Sequence, residues 1–330
     1  MAGITEFLVG SDNAAAIRTL WTQDLLVRNG ERIFWDRFSG PVGSGMPIIV
    51  NSDLTVNAGG TVNVDMVTRA SGAGVSGTTA LSGAEEEATF FQVAVTPVYY
   101  RNGFAVHKSQ RRKTLHELRE WGKNLAVTWS SEHIDNAIFD ILDAVTTDLV
   151  YGGDATSKAT IEAADVLTAD LIAKAAAKAK GKFVKPLIID GQEWYIMIVH
   201  PYAAYSLRGD SDWLGAQQYA GARDLTNPIF SGRLGAVHGV MLFESSRVAY
   251  GTNAGVGTPG ILPYSIGHLV GAEAAAFAWS QQPGMLEEVT DYGTRQGIGV
   301  DMMYGCASAT FNSVPIGHVP VMVASANPNA

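Results

Sequence analysis

Two strand-like runs, "GGTVNVDMV" from Gly59 to Val67 and "ATFFQVAVTPVYYRNGFAV" from Ala88 to Val106, flank a Gly, Ser and Thr stretch, Ala70 to Gly83, and three glutamates, Glu85, Glu86 and Glu87. Val62, Val64 and Met66 alternate with Thr61, Asn63 and Asp65, and the second run is rich in β-branched and aromatic residues. The simplest object with this pattern is a long β-hairpin with a flexible tip. Such a hairpin cannot bury both faces against its own chain, and alone it is marginal and aggregation-prone. A neighbour must cover it.

Composition agrees with a subunit that hides surface. The 330 residues are 47% hydrophobic, enough for one large core or two smaller ones, while charged residues make up 17%, below the roughly 25% of ordinary domains. A net charge of −9 argues against a protein whose main task is gripping nucleic acid with a basic face. Cys306 is the one cysteine, which excludes an intramolecular disulfide framework and a cysteine-rich zinc site; it reads as a small apolar residue in a strand. The start of the chain lacks the pattern of a secretory signal. Two runs without charge, Val248–Ala272 and Met302–Ala330, are broken by Gly, Pro, Asn and Ser, so neither is a membrane span.

Along the chain, Ser11 or Asp12 can cap a helix to about Val27, followed by an irregular arm. Leu115, Leu118, Gly122, Leu125, Trp129, Ile134, Ile138, Ile141 and Val145 recur at helical spacing over Thr114–Thr146, which reads as one long helix or as two in tandem broken near Ser130. A second helix runs from its N-cap Thr168 to Gly181. Asp190-Gly191 reads as a turn between two strands, Tyr202 to about Tyr219 as helical, "AVHGVMLFES" as a strand and Gly251–Gly260 as a loop. "LVGAEAAAFAW" fits either a buried strand or a short helix, and "GIGVDMMYGCASATF" reads as strands.

Catalytic chemistry finds no residues to rest on. G-x-G-x-x-G occurs at Gly72, Gly74, Gly77 and at Gly255, Gly257, Gly260, but neither copy opens the helix that a dinucleotide phosphate needs. Both read as flexible glycine loops. No H-E-x-x-H occurs, Ser76 and Ser211 lack a nucleophile elbow, and Asp210 and Asp212 read as a helix cap or turn. No catalytic residue, cofactor site or metal site is expected. The basic run "HKSQRRK", containing Lys108, Arg111, Arg112 and Lys113, precedes the long helix, where positive charge opposes the helix dipole. It reads as a solvated patch or an intersubunit salt-bridged one, the latter with Glu85, Glu86 and Glu87 of a neighbour as its acidic complement, or else as a contact to packaged nucleic acid or an acidic partner.

The order of elements resembles the major capsid proteins of tailed bacteriophages, an α+β shell fold of the Hong Kong 97 type. Four motifs look most like the N-four-like family among them: "GVSGTTALSGAEEEATFF" from Gly74, "DGQEWYIMIVHPYAAYSLRGDSDW" from Asp190, "NPIFSGRLGAVHGVMLFES" from Asn227 and "EEVTDYGTRQGIGVDMMYG" from Glu287. The resemblance implies an N-terminal arm at residues 1–52, an extended β-hairpin loop at 53–107 and a peripheral domain at 108–163. The peripheral domain would carry the spine helix and be completed by 283–315. An axial domain at 164–282 and a C-terminal tail at 316–330 follow. Gly72, Gly74, Gly77 and Glu85 to Glu87 would form the intersubunit tip of the loop.

What the resemblance implies for function is a non-enzymatic shell subunit, located in the virion and assembled in the host bacterial cytoplasm. Its partners would be its own copies in hexamers and pentamers, a portal, a decoration protein and weakly held double-stranded DNA, with no membrane. A separate scaffolding protein is also expected, because the recognisable fold starts almost at Met1. An encapsulin-like compartment is the alternative. Some shells of this type carry an isopeptide bond from a lysine of the extended loop, but residues 51–104 contain no lysine. Denaturing electrophoresis of mature particles should therefore give a single subunit band and no covalent ladder.

Overall fold

The computed structural model describes residues 34–55, 60–67, 72–78, 80–87, 90–111, 118–189, 191–219, 234–254, 262–311 and 314–327. The expected helix over residues 11–27, the Gly255, Gly257, Gly260 motif, and Arg112 and Lys113 lie outside them. Strands β1–β17 and helices α1–α5 are numbered along the chain.

Two sheets organise the molecule. The first has the order β1 (Ser39–Gly40), β2 (Ile48–Asn51), β13 (Ala275–Thr290), β14 (Arg295–Ser308) and β5 (Val98–His107). The second has the order β6 (Val150–Tyr151), β17 (His318–Ala324), β12 (Leu262–Val270), β8 (Gln192–Val199), β10 (Val240–Glu244) and β9 (Ala236–Val237). At its sides β11 (Tyr250–Ala254) pairs with β12, and β7 (Leu187–Ile189) pairs with β8. The ambiguous "LVGAEAAAFAW" resolves into the end of β12 and the start of β13. Part of the expected Gly251–Gly260 loop is the strand β11; its polar "YGTNA" gives no apolar alternation, and β12 recruits it as an edge.

Strand β8 shows why a continuous apolar run belongs here. Tyr195, Met197 and Val199 face a core built with α3 (Ala169–Gly181) and α4 (Pro201–Arg208), whereas Ile196 and Ile198 face a second core. A strand covered on both sides needs no polar face. The second core joins the two sheets: Ile134, Ile138, Phe139 and Leu142 of α2 (Leu118–Asp143) meet Ile48, Phe277, Met302 and Tyr304 of the first sheet and Val270 of the second. β17 carries the same signature, with all seven residues of His318–Ala324 buried. The residues expected as a tail thus supply an inner strand, because valines at every second position face α3 and α4.

Helix α2 runs unbroken through Ser130. The Ser130 and Ser131 hydroxyls donate to the Val127 carbonyl at 3.0 and 2.9 Å, so both serines are satisfied inside the helix instead of ending it. Its buried stripe follows Ala126, Val127, Ser130, Ser131, Ile134, Asp135, Ile138, Phe139 and Leu142. Leu125, expected on the stripe, is 51% exposed. Small residues win the contact face because the helix sits close to the sheet: a Cβ at Gly122 would stand 3.0 Å from Ile298 Cδ1.

The segment before β1 is held by one carboxylate. Asp135 is buried and accepts from the backbone N–H groups of Phe34 and Trp35 at 2.9 and 3.3 Å and from Arg247 Nη1 at 3.2 Å. Burial pushes its carboxyl above the ordinary carboxylate range, opposed by those two N–H groups and then by the Arg247 cation. The anchored turn seats Trp35, wholly buried, against Phe139, with ring centroids 5.2 Å apart. Asp135→Ala would leave two backbone donors and the Arg247 guanidinium uncompensated and should cost about 2–4 kcal/mol, read as a lower denaturant midpoint; Glu244→Ala, whose ion pair with Arg208 is largely solvated, should shift it by less than about 1 kcal/mol.

Candidate assembly surfaces

The hairpin is a two-stranded sheet of β3 (Val62–Val67) and β4 (Phe90–Val95), with Val62 opposite Val95 and Val67 opposite Phe90. The long second run therefore divides at Thr96-Pro97: β4 pairs with β3, and β5 crosses into the first sheet. Proline offers no N–H to a ladder, and at this crossing the backbones close in, since a Cβ on Gly305 would lie 2.6 Å from the Thr96 carbonyl oxygen. At its base the hairpin buries Val62, Val64, Val93 and Val95 against Ile49, Ala276, Ala278 and Ala309. At its far end Val67 and Phe90 are 57% and 69% exposed. The hairpin is covered at its base and leaves Val67 and Phe90 open at its far end.

The tip brings five of its six singled-out residues into contact or special geometry. Gly72 N–H donates to Glu86 Oε2 at 2.8 Å, and Gly83 N–H donates to Glu85 Oε2 at 2.6 Å. Gly74 and Gly77 have φ of +67° and +69°, a region that L side chains enter at a cost of about 1–2 kcal/mol. Glu87 is exposed. No helix begins at Gly77, so this stretch makes turns and forms no phosphate cradle.

The basic residues lie at one end of the first sheet. Lys108 opens α1 (Lys108–Arg111), and its N–H donates to the Thr294 carbonyl at 2.7 Å. Arg111 is the last residue of that helix. The fold adds one cation that the run did not identify, because Arg295 is in register with His107 across β14 and β5. His107, Lys108 and Arg295 are all exposed.

Sequence reading also missed a trough on the outer face of the same sheet. Ile298 and Val300 point inward against Ala126 and Val127 of α2. The alternate positions, Gly297 and Gly299, point outward, with Gly299 opposite both Gly103 and Leu286. The missing side chains leave a trough of about 430 Å³ lined by Arg101, Phe104, Leu286 and Glu288 among others. Glycine in a strand interior lets another backbone approach closely. The pattern "GIG" facing a glycine on the partner strand was the available signal, but the pairing is not written in either segment alone.

Comparison with known proteins decides the class. The chain matches the family model described as phage capsid protein over residues 13–148 and 136–320. The chain belongs to the phage capsid protein family. It is 22% identical over 341 residues to the major capsid protein of Pseudomonas phage KPP25, covering 90% of each. Among solved structures it is similar to the capsid of Ralstonia phage GP4, with a TM-score of 0.79 at 23% identity over 91% of this chain and 93% of that one. The Cyanophage Pam1 capsid gives 0.77 at 20% identity over 90% and 93%. The architecture is thus the Hong Kong 97-type capsid fold. Matches to phage capsids give no support to the encapsulin-like alternative, and the narrower N-four-like placement rests on the sequence motifs.

In this phage capsid protein the remaining reactive-looking residues have structural partners. Asp210 accepts from the N–H groups of Ala169 at 2.7 Å and Asp212 at 3.2 Å, the capping role expected. Burial pushes the Cys306 thiol up to about 11, so it stays protonated and inert at neutral pH. Among the described residues no group of three His, Cys, Asp or Glu side chains could hold a metal ion. Replacing both Val67 and Phe90 with serine should change subunit stability by less than about 1 kcal/mol, since both are exposed in the single chain, while sharply reducing particle yield in sedimentation.

Proposed function

We propose that the chain is the major capsid protein that forms the icosahedral head shell around the double-stranded DNA genome of a tailed bacteriophage. One observation carries this reading: the far end of the β3–β4 hairpin exposes the apolar side chains of Val67 and Phe90. A heterologous contact repeated by rotation covers that surface in every copy and sums weak contacts into a stable shell. The extended likeness to the KPP25 major capsid protein supports the same role. The subunit is non-enzymatic, is assembled in the host bacterial cytoplasm, and works with a scaffolding protein, a portal and a decoration protein.

The domain scheme is part of this proposal, with boundaries adjusted where strands cross them. The peripheral domain takes all of β13 from Ala275, because that strand runs unbroken across residue 282, and the axial domain takes β17 from the tail. The hairpin tip, with Gly72, Gly74, Gly77 and Glu85 to Glu87, lies on an adjacent subunit. There the exposed Glu87 and its neighbours meet the basic run of Lys108, Arg111, Arg112 and Lys113, joined by Arg295 from the end of the first sheet. Contact with packaged DNA is weak and non-specific, as the net charge of −9 requires.

Electron microscopy of the purified protein should show closed shells tens of nanometres across; a species that stays small at all concentrations would overturn the reading. Glu85, Glu86 and Glu87 changed together to lysine should abolish shells, and reversing Lys108, Arg111 and Arg295 to glutamate in that background should restore them in part. Unimpaired assembly of the triple variant would remove the proposed charge pairing without touching the capsid assignment.

A further inference from the structure

Where the C-terminal end of α2 meets the second sheet lies a cluster of ionisable groups that the assembly surfaces leave unused. His268 of β12 and His318 of β17 are both fully buried. His268 Nδ1 lies 3.0 Å from His318 Nε2, and His268 Nε2 lies 3.0 Å from Asp143 Oδ1 at the last residue of α2. His318 Nδ1 is buried and has no hydrogen-bond partner, and His268 Nε2 and Asp143 Oδ1, although 3.0 Å apart, are not aligned as a hydrogen bond. From the segment after α3 the cluster is faced by Lys182, which pairs with Asp148 at 2.5 Å. The strand neighbours in register are apolar: Ile198 and Pro320 beside His268, and Val270 beside His318.

The protons can be followed atom by atom. With both rings neutral, His318 Nε2–H donates to His268 Nδ1, His268 Nε2–H lies beside the Asp143 carboxylate, and only a lone pair remains at His318 Nδ1. An added proton has two destinations. If His318 takes it, Nδ1 gains a hydrogen directly. If His268 takes it, both His268 nitrogens donate, so His318 must accept at Nε2 and again carry its hydrogen on Nδ1. Either way a buried donor appears at His318 Nδ1, which has no acceptor, on a ring that already feels the Lys182 cation.

We propose that Asp143, His268 and His318 form an acid-sensitive latch that holds the end of α2 to the second sheet while both rings are neutral and releases it on taking up one proton. Burial, then His268, then Lys182 hold His318 well below the ordinary histidine value. The closed form therefore binds fewer protons than the open one. Its stability is complete above about pH 6.5 and falls as pH drops through that value, by about tenfold in the closed-to-open ratio per pH unit. Because α2 packs on both sheets, opening there loosens one sheet against the other.

Hydrogen exchange on the full-length protein, read by mass spectrometry at pH 7.5, 6.5 and 5.5 and corrected for intrinsic rates, tests the latch. Residues 138–146, 264–270 and 318–323 should lose about tenfold in protection between pH 6.5 and 5.5, while the β3–β4 stem and the β13–β14 pair hold theirs. His318→Gln keeps an N–H for His268 Nδ1 and cannot take up a proton, so it should flatten this acid response. A loss spread evenly over the chain, no loss at those three segments, or a variant with the full acid response would overturn the proposal. Should the variant fail to fold, the location of the loss in the unmodified protein decides.

Discussion

Everything in this subunit depends on a single helix having two sheets to pack on. α2 gives Ala126 and Val127 to the first sheet, and Phe139 reaches the rings of Trp35 and His268. The core around Phe139 draws residues from the segment before β1, from both sheets and from the helix itself. Neither sheet could bury its inner face without that helix, since an open sheet needs a layer on its apolar side. Asp135 shows how closely the arrangement is specified. A carboxylate in the helix stripe would be costly in an apolar core, yet here it supplies the acceptor that fixes Phe34 and Trp35 and so places the largest side chain of that core.

The strong local signals were legible in the sequence because local physics settles them. Thr168 caps α3 by accepting from the Leu171 N–H at 3.3 Å, as its position before an alanine-rich run implied. The strands expected on either side of Gly191 appear as β7 and β8, paired antiparallel, and the alternation of Val62, Val64 and Met66 appears as β3. What escaped depended on distant partners. Pro97 divides an apparently continuous strand because β14 competes for its second half. Leu125 leaves the helix stripe because Gly122 and Ala126 let the sheet come closer. His318–Ala324 looked like a tail because its two pairing partners, β12 and β6, lie far back in the chain.

The hairpin tip is a middle case. Its glycines were recognised, and two of them, Gly74 and Gly77, do take the left-handed conformation. The glutamates carried a role that charge alone does not reveal: Glu85 and Glu86 accept backbone N–H groups inside the tip. They shape the loop as well as charging it. Their partners are N–H groups of glycines 2 and 14 residues away, contacts that only the folded loop brings together.

The exposed half of the hairpin and the glycine trough sit on one chain but make opposite demands. Val67 and Phe90 project apolar side chains, while Gly103, Gly297 and Gly299 remove side chains and open a backbone-lined floor. A twofold contact would place like surface on like surface, which suits neither. Head-to-tail repetition sets one kind of surface against another in every copy, and it ends only when rotation closes the ring or shell. The low charge content follows from the same geometry. A subunit with neighbours on many sides has little permanent solvent face to fill with Lys and Glu, and the charges it keeps can be concentrated where they steer one copy onto the next.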